Sequence, residues 1–230
     1  MCALVLVGAG SATADDNGIA GKSPRAIADA SRAAMSGLTS MRMVAEVTDK
    51  AGTTALDLRF DEQGDCVGTV TPPGGSGRAD IIKRGDDVWM KLDDALLRAQ
   101  IPGFAAEAAI ALVNGRYVHG TTDSSLLRSF AEVCDLDFFK KEFASKPADE
   151  QLTKGSRTDV DGRPAITVTS RHEDEAGTFQ VSTEGKPYLL RIQGTKAPAE
   201  RLEATFSAFD QPVQAKPPAA ADSVDVSRLQ

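Results

Sequence analysis

Apolar and polar residues alternate along residues 40–92, in short runs that are separated by turn residues. Alternation with a period of two is typical of a strand that has one buried face and one solvated face. The connections between runs are short, at residues 49–52 and 61–65 for example, whereas a parallel crossover needs a dozen residues or more. The stretch therefore predicts an antiparallel meander, whose first run carries on one face Met41, Met43, Ala45 and Val47.

The same alternation returns after Leu152 and predicts a second meander. Turn residues separate four predicted strands, at residues 165–169, 178–182, 188–193 and 202–209. Pro and Ala then become frequent, so we expect residues 214–230 to form an extended tail on the surface.

Helices are predicted before and between the two meanders. Ser23 suits an N-cap, Pro24 suits the first helical position and Gly37 ends the pattern, which predicts a helix lying on one face of the sheet. Residues 93–146 read as a helical insert, with predicted helices at 95–101, 104–113, 125–133 and 136–143. The second of these is apolar on nearly all sides, so we expect it to make contacts on more than one side.

The order of helix, strands, helices, strands and tail predicts an α+β protein. We expect residues 23–213 to form a single domain, a large curved antiparallel β-sheet that is an unclosed half-barrel with helices packed in its concave face. About nine to eleven strands is near the limit at which open sheets curl. A curled sheet with an apolar helical insert can leave a cavity, and such cavities hold apolar ligands.

The first residues indicate export. An apolar run at residues 3–10 precedes Ala12-Thr13-Ala14, a small-x-small cleavage pattern, so residues 1–14 are predicted to be a signal peptide that lacks its charged start. The alternative is the first strand and glycine turn of a dinucleotide fold. That fold needs a third small residue and an amphipathic helix, whereas turn residues follow here. Residues 15–22 are expected to be a flexible segment after the cleavage site.

The cysteine count agrees with export. Removal of Cys2 with the signal peptide leaves Cys66 and Cys134, and an exported protein is expected to join such a pair. Closing a loop this long contributes about 2–4 kcal/mol. Two small buried thiols are the alternative.

Charge and composition exclude several classes of function. The net charge is −7 and the 26 Lys and Arg residues are scattered, so no nucleic-acid surface is expected. His119 and His172 have no partner pattern, and the cysteines lack ligand spacing, so no metal is expected. A Gly-x-Ser-x-Gly elbow is missing, and Asp159 and Asp161 lack the later ligands of a calcium loop. We therefore expect no catalytic residues, no enzymatic activity and no cofactor.

Four segments carry a resemblance to a known family: residues 81–91, which include Trp89, a strand at residues 115–119 after an apolar helix, a hairpin at residues 153–165, and residues 185–192. In these the chain resembles bacterial exported lipoproteins of the LolA/LppX/LprG-like superfamily. The resemblance implies an unclosed barrel with a helical lid over a hydrophobic cavity that carries acyl chains or lipoprotein tails. Cys2 departs from the family's anchoring pattern because an apolar run follows it, so it is not expected to carry a lipid anchor.

The expected function is that of an exported, non-enzymatic carrier of a lipid or acyl-chain ligand. We expect the protein to be in the cell envelope or to be secreted, and to act close to a membrane surface. The alternative is an envelope sensor or scaffold domain that binds a protein partner. Pro102-Gly103 would serve as the hinge that admits the ligand. The predicted cavity lining consists of Leu56, Leu58, Phe60, Val70, Ile82 and Trp89 from the sheet and Ile101, Phe104, Ile110 and Leu112 from the insert. The alternative for these residues is simple packing against one another.

Overall fold

The structure is a computed structural model that describes residues 15–124, 127–128, 133–145, 149–173, 175–196 and 200–226. The predicted signal peptide at residues 1–14 lies outside the described residues. Most of the predicted helix at residues 125–133 and the last residues of the tail do so as well.

One sheet organises the described residues. Its twelve strands are β1 (Ser40–Asp49), β2 (Gly52–Asp61), β3 (Cys66–Thr71), β4 (Ala79–Arg84), β5 (Asp87–Leu92), β6 (Tyr117–Thr121), β7 (Gln151–Val160), β8 (Arg163–His172), β9 (Glu175–Ser182), β10 (Leu189–Lys196), β11 (Glu200–Ser207) and β12 (Ser223–Asp225). Their order across the sheet is β12-β6-β5-β4-β3-β2-β1-β11-β10-β9-β8-β7. The two predicted meanders therefore meet where β1 pairs with β11.

The alternation of the sequence sets the register of the sheet. Met43 lies opposite Leu58 on one side and Phe206 on the other, and all three are buried on the concave face. A slip of one residue would turn this apolar row to solvent, so burial fixes the pairing. The predicted α+β fold with a large unclosed sheet is confirmed.

The two strands at the edges of the sheet have little apolar pattern. β7 spans ten residues at one edge, and only Val160 among them is buried, so it shows no apolar alternation. Its place in the sheet is set by backbone pairing with β8. At the other edge, β12 lies within the predicted tail and pairs in parallel with β6, which makes an otherwise antiparallel sheet mixed.

Four α-helices are described: α1 (Pro24–Ser36), α2 (Asp94–Gln100), α3 (Phe104–Val113) and α4 (Leu136–Ala144). The Ser23 side chain accepts a hydrogen bond from the Ala26 amide at 3.3 Å, which caps α1 as predicted. Asp93 caps α2 by accepting from the Leu96 amide at 2.8 Å. α1 packs against α4, and both lie over the concave face. Short 3₁₀ helices occur at Ile19–Gly21 and Ala220–Asp222.

Cys66 and Cys134 form a disulfide, with Cα atoms 5.8 Å apart. Cys66 begins β3 and Cys134 lies just before α4, and both residues are buried. The bond therefore ties the end of the helical insert to the first meander.

Candidate ligand cavity

A cavity of about 440 Å³ lies between the concave face of β8–β11 and the helices α1 and α4. The residues that line it come from both helices, from the second meander and from the end of β1. Its apolar surface is formed by Ala28, Met35, Val47, Phe143, Phe179, Leu189, Ile192 and Leu202.

Two glycines account for the space above the sheet. Gly177 lies opposite Gly194 on neighbouring strands, in the same cross-strand row as Ser170 and Leu202. The next row along the same face instead carries Phe179 and Ile192. Where the glycines lie, no side chain fills the concavity.

The two glycines differ in what they tolerate. A Cβ at Gly177 would lie 2.7 Å from the Gln193 carbonyl oxygen, so the close approach of β10 requires glycine there. A Cβ at Gly194 would meet nothing nearer than the Ala176 oxygen at 3.8 Å, which is ordinary contact. Position 194 therefore has room for a side chain that would project into the cavity.

Burial changes in one direction along the cavity. At its inner end Met35 and Leu189 are 1% and 7% exposed. Phe179 and Ile192 are half-buried, and Thr195 and Glu200 at the mouth are exposed. The cavity thus runs from an apolar interior to a polar opening, which suits a molecule with an apolar tail and a polar end.

A charged cluster forms one wall. Glu150, whose side chain is 7% exposed, accepts hydrogen bonds from Arg25 at 2.9 Å, Arg32 at 2.7 Å and Ser170 at 2.9 Å. Burial raises the pKa of Glu150, but the hydrogen bonds from Ser170 and Arg32 outweigh it and hold the pKa below its ordinary value. Because both carboxylate oxygens have donors, the cluster fastens α1 to the start of β7 and to β8.

None of the predicted cavity residues lines this cavity. Leu58, Phe60 and Val70 are buried in the core under the first meander, and Leu56 packs against it. Side chains from the helical insert, among them Leu96 and Phe139, belong to the same core. These four sheet residues therefore pack against one another, as the alternative expected. The cavity described above lies over the second meander.

Ile82 and Trp89 lie on the opposite face of the sheet. Their immediate neighbours Ile81, Val88 and Met90 are buried on the concave side, so alternation turns Ile82 and Trp89 to the convex side. They are cross-strand partners, and the Trp89 ring stacks on His119 at 4.7 Å between ring centroids.

The residues expected from the insert are largely exposed. Phe104 is 91% and Leu112 57% exposed, while Ile101 and Ile110 are half-buried. Within α3 only Ala106 and Val113 are buried, so this helix does not make the contacts on several sides that its composition led us to expect. Its one acidic side chain, Glu107, accepts a hydrogen bond from Arg98 of α2 at 2.8 Å.

Sequence reasoning missed the residues that line the cavity, although a signal was present. A glycine inside a strand removes a side chain from a packed face; Gly177 and Gly194 lie within β9 and β10, each one residue outside the predicted strands 178–182 and 188–193. Reading them together with the alternating Phe179 and Ile192 would have placed the open region over the second meander.

No group of three or more His, Cys, Asp or Glu side chains in the described ranges is arranged to hold a metal ion. His172 lies at the mouth of the cavity, and His119 contacts Asp87 at 3.0 Å. None of the helices in the described part of the chain has the length and apolar character needed to cross a membrane.

Solved structures with this fold include mycobacterial proteins. LprF from Mycobacterium bovis is 15% identical, and the match covers 90% of this chain and 100% of that one with a TM-score of 0.58. The lipoprotein LppX from Mycobacterium tuberculosis is 17% identical over 84% of this chain and 100% of its own, with a TM-score of 0.53. Comparison of the sequence with protein-family models and with curated proteins gives no match. The predicted resemblance to LppX-like proteins is thus confirmed as a likeness of fold.

Proposed function

We propose that this chain is a non-enzymatic carrier that binds a lipid or other acylated molecule in the cavity over its second meander. The observation that carries the proposal is an apolar cavity of about 440 Å³ whose floor is left open by Gly177 and Gly194. Its volume falls within the range of about 300–1,000 Å³ that is usual for small-molecule sites.

Burial of apolar surface is the driving force of such binding. Each methylene group removed from water contributes roughly 0.8 kcal/mol, so ten of them contribute roughly 8 kcal/mol. Association costs about 4 kcal/mol or more in lost freedom, and the remainder is useful affinity. No chemical step is required, and release reverses the binding.

The proposed place of action is the cell envelope, outside the cytoplasm and near a membrane that supplies the lipid. The disulfide between Cys66 and Cys134 supports it, because such bonds persist in oxidising compartments. The fold likeness to the lipoprotein LppX supports it further.

Native mass spectrometry of the chain from Asp15 onward, secreted by a bacterial host and purified without detergent, tests the proposal. We expect a discrete added mass that organic solvent removes and that lipid analysis identifies. A bare chain mass that stays bare after incubation with lipid vesicles would contradict the proposal.

A matched pair of variants locates the binding. Ile192→Asn places an amide on the cavity floor, whereas Val44→Asn places the same amide on the other face of the sheet, at an exposed residue that does not line the cavity. The first is expected to lose the added mass and the second to keep it, with thermal melting used to show that both are folded.

The alternative, a sensor or scaffold domain that binds an envelope protein, is favoured by one observation. Phe104 and Leu112 of α3 are 91% and 57% exposed, and large apolar side chains on a surface mark interaction sites when they are contiguous. A protein without bound lipid, whose cross-links from position 104 all reach one envelope protein, would favour this alternative. Loss of those cross-links in Leu112→Ser would assign them to α3.

A further inference from the structure

The helix α3 has an exposed apolar face. Phe104 is 91% exposed and Leu112 57%, and the intervening Ala108 and Ala111 are exposed as well. Their spacing of i, i+4, i+7 and i+8 places them on one side of a helix. The buried residues of α3 lie on the opposite side, so the helix packs on the protein through one face and leaves the other in water. A contiguous apolar surface of this kind marks an interaction site.

The strand pairing places α3 at the same end of the sheet as the opening of the cavity. β5 ends at Leu92, and the cross-strand row that contains Leu92 continues through Ala45 to Ile192 on the cavity floor. From this row β10 runs on to Thr195 at the mouth. The chain leaves the sheet on the same side after Leu92, forms α2 and α3, and returns to it at Tyr117. A flat surface that meets this end of the sheet therefore meets α3 and the opening together.

The two ends of the sheet differ in charge. At the end opposite the opening, the connections at residues 61–65 and 84–87 carry five acidic side chains and one basic side chain. At the end with the opening, the connection at residues 72–77 carries no charged side chain, and the single charge of α3, on Glu107, is paired with Arg98 at 2.8 Å. Carboxylates are repelled by anionic lipids and lose hydration at a membrane surface. The contrast therefore favours contact of a membrane with the end that holds α3.

The last carbonyl groups of α3 are already paired within the protein. The Arg116 side chain donates hydrogen bonds to the carbonyl oxygens of Leu112 at 2.8 Å and Val113 at 3.2 Å. The Asn114 amide donates to the Ile110 carbonyl oxygen at 2.7 Å. A carbonyl that loses its water on entering lipid is unfavourable unless it has such a donor. The end of α3 can therefore enter the boundary between headgroups and acyl chains.

Resting on the proposed function, we infer that the exposed face of α3 docks on a lipid bilayer, with Phe104 and Leu112 inserted among the acyl chains and the opening of the cavity turned towards the lipid. Amphipathic helices of this kind lie in the membrane interface with their apolar face below the headgroups. The opening carries exposed charges of both signs, Glu200 and Arg201 among them, and these then lie at the level of the headgroups. Lipid thereby passes between bilayer and cavity at the site of docking.

The fluorescence of a single tryptophan locates the docked surface. Trp89 is the only tryptophan of the chain, so Trp89→Phe provides the background for Phe104→Trp. On addition of phosphatidylcholine vesicles we expect the emission from position 104 to shift to shorter wavelength and to be quenched by lipids that are brominated on their acyl chains.

Phe138→Trp in the same background is the matched control. Phe138 is a 52% exposed phenylalanine at the start of α4, next to Asp137 and at the acidic end of the sheet. Its emission is expected to stay unchanged when vesicles are added. Thermal melting of each variant shows that it is folded.

Serine substitutions measure what the two side chains contribute. In sedimentation with vesicles, Phe104→Ser is expected to bind about tenfold more weakly than the wild type, and the double variant Phe104→Ser, Leu112→Ser about 100-fold, because each side chain loses its burial in lipid. Both side chains are exposed, so thermal melting should change little. Phe138→Ser is expected to bind vesicles as the wild type does.

The outcomes separate this inference from the proposed function. Equal spectral shifts at positions 104 and 138, or vesicle binding that the serine variants leave unchanged, would overturn the inference. A protein that retains lipid in native mass spectrometry but binds no vesicles would also overturn it and leave the carrier, and cross-links from position 104 to one envelope protein would then assign α3 to a protein partner. Vesicle binding through Phe104 by a chain that takes up no lipid would overturn the proposed function and leave the docking surface.

Discussion

The two halves of the concave face are built from the same alternating pattern, yet among the described residues the side chains of one half pack into a core and those of the other border a cavity. Over β1–β5, the apolar residues of the concave face, among them Leu58 and Phe60, are covered by α2 and α4 and belong to one continuous core. Over β8–β11, the facing positions Gly177 and Gly194 carry no side chain, and α1 spans the gap without filling it. The size of the residues on a buried face, rather than their period, decides whether a curved sheet holds a core or a cavity.

The halves also differ in how their helices are fastened. In the filled half, the Cys66–Cys134 disulfide joins the helical insert to β3. In the open half, α1 is held by Glu150 through Arg25 and Arg32, and the turn before β1 is held by Asp210. A covalent bond therefore secures the packed side, and hydrogen-bonded ion pairs secure the side that borders the cavity.

The largest contrast is expected between two phenylalanines. Phe60 is fully buried and lies 5.2 Å from the Phe139 ring, so Phe60→Ala should lower the free energy of unfolding by about 3–5 kcal/mol. Phe179→Ala, on the half-buried cavity floor, should cost about 1–2 kcal/mol but weaken lipid binding. Denaturant unfolding and lipid titration measure both. Equal losses of stability would show that the two halves are packed alike.

Removal of the disulfide should affect stability without affecting the cavity. The double variant Cys66→Ala, Cys134→Ala is expected to lower the free energy of unfolding by about 2–4 kcal/mol, because the unfolded chain regains freedom. Lipid affinity below the new melting temperature should stay close to that of the wild type. A large loss of affinity would mean that the filled half also shapes the binding site.

Glu150→Gln should loosen the wall of the open half. The substitution removes the charge that Arg25 and Arg32 face, and we expect a loss of about 1–3 kcal/mol together with faster lipid exchange. Glu46→Gln, an exposed change outside the cavity lining, is the control and should leave stability within about 0.5 kcal/mol. Exchange of a fluorescent fatty acid, compared between the two variants, checks the effect. If the rate of fatty-acid exchange is unchanged in Glu150→Gln, the Glu150 cluster does not control access to the cavity.

The smallest expected effect concerns pH and Asp210. Burial raises the pKa of Asp210, but hydrogen bonds from Tyr188, the Thr39 amide and Lys186 lower it to about 2. Since the folded-state pKa lies below the ordinary value of 3.8, its stabilisation is present above pH 4 and is lost as the pH falls towards 2. After allowance for solvent screening, we expect about 1 kcal/mol.

Unfolding by urea at pH 6 and at pH 2.5 measures the effect of Asp210. Asp210→Asn should be less stable than the wild type at the higher pH and should lose less stability on acidification. A variant with the same pH dependence as the wild type would show that other carboxylates account for it.

Local signals in the sequence predict most of the fold. The period of two gives the strands of both meanders, Ser23 and Pro24 give the start of α1, and the cysteine count gives the disulfide. The hairpin expected at residues 153–165 is present as β7 and β8, whereas β12 is not predicted, because a strand at a sheet edge forms by backbone pairing and needs no apolar face.

The residues that line the cavity over the second meander do not follow from the sequence pattern, for a different physical reason. Alternation shows which residues share a face but says nothing about what covers that face, so Leu58 and Phe60 looked equally suited to a cavity and to a core. The phase of a short strand is also uncertain when both faces carry large residues. Trp89 was assigned to the inside, whereas its neighbours Val88 and Met90 occupy that side.

Methyl NMR of the protein with one equivalent of hexadecanoic acid tests the central claim most directly. Binding over the second meander predicts intermolecular contacts from the acyl chain to the methyl groups of Ile192, Leu202 and Met35, while Leu58 and Val70 in the filled half stay unaffected. Contacts to Leu58 or Val70, or no contacts to either half, would contradict the account.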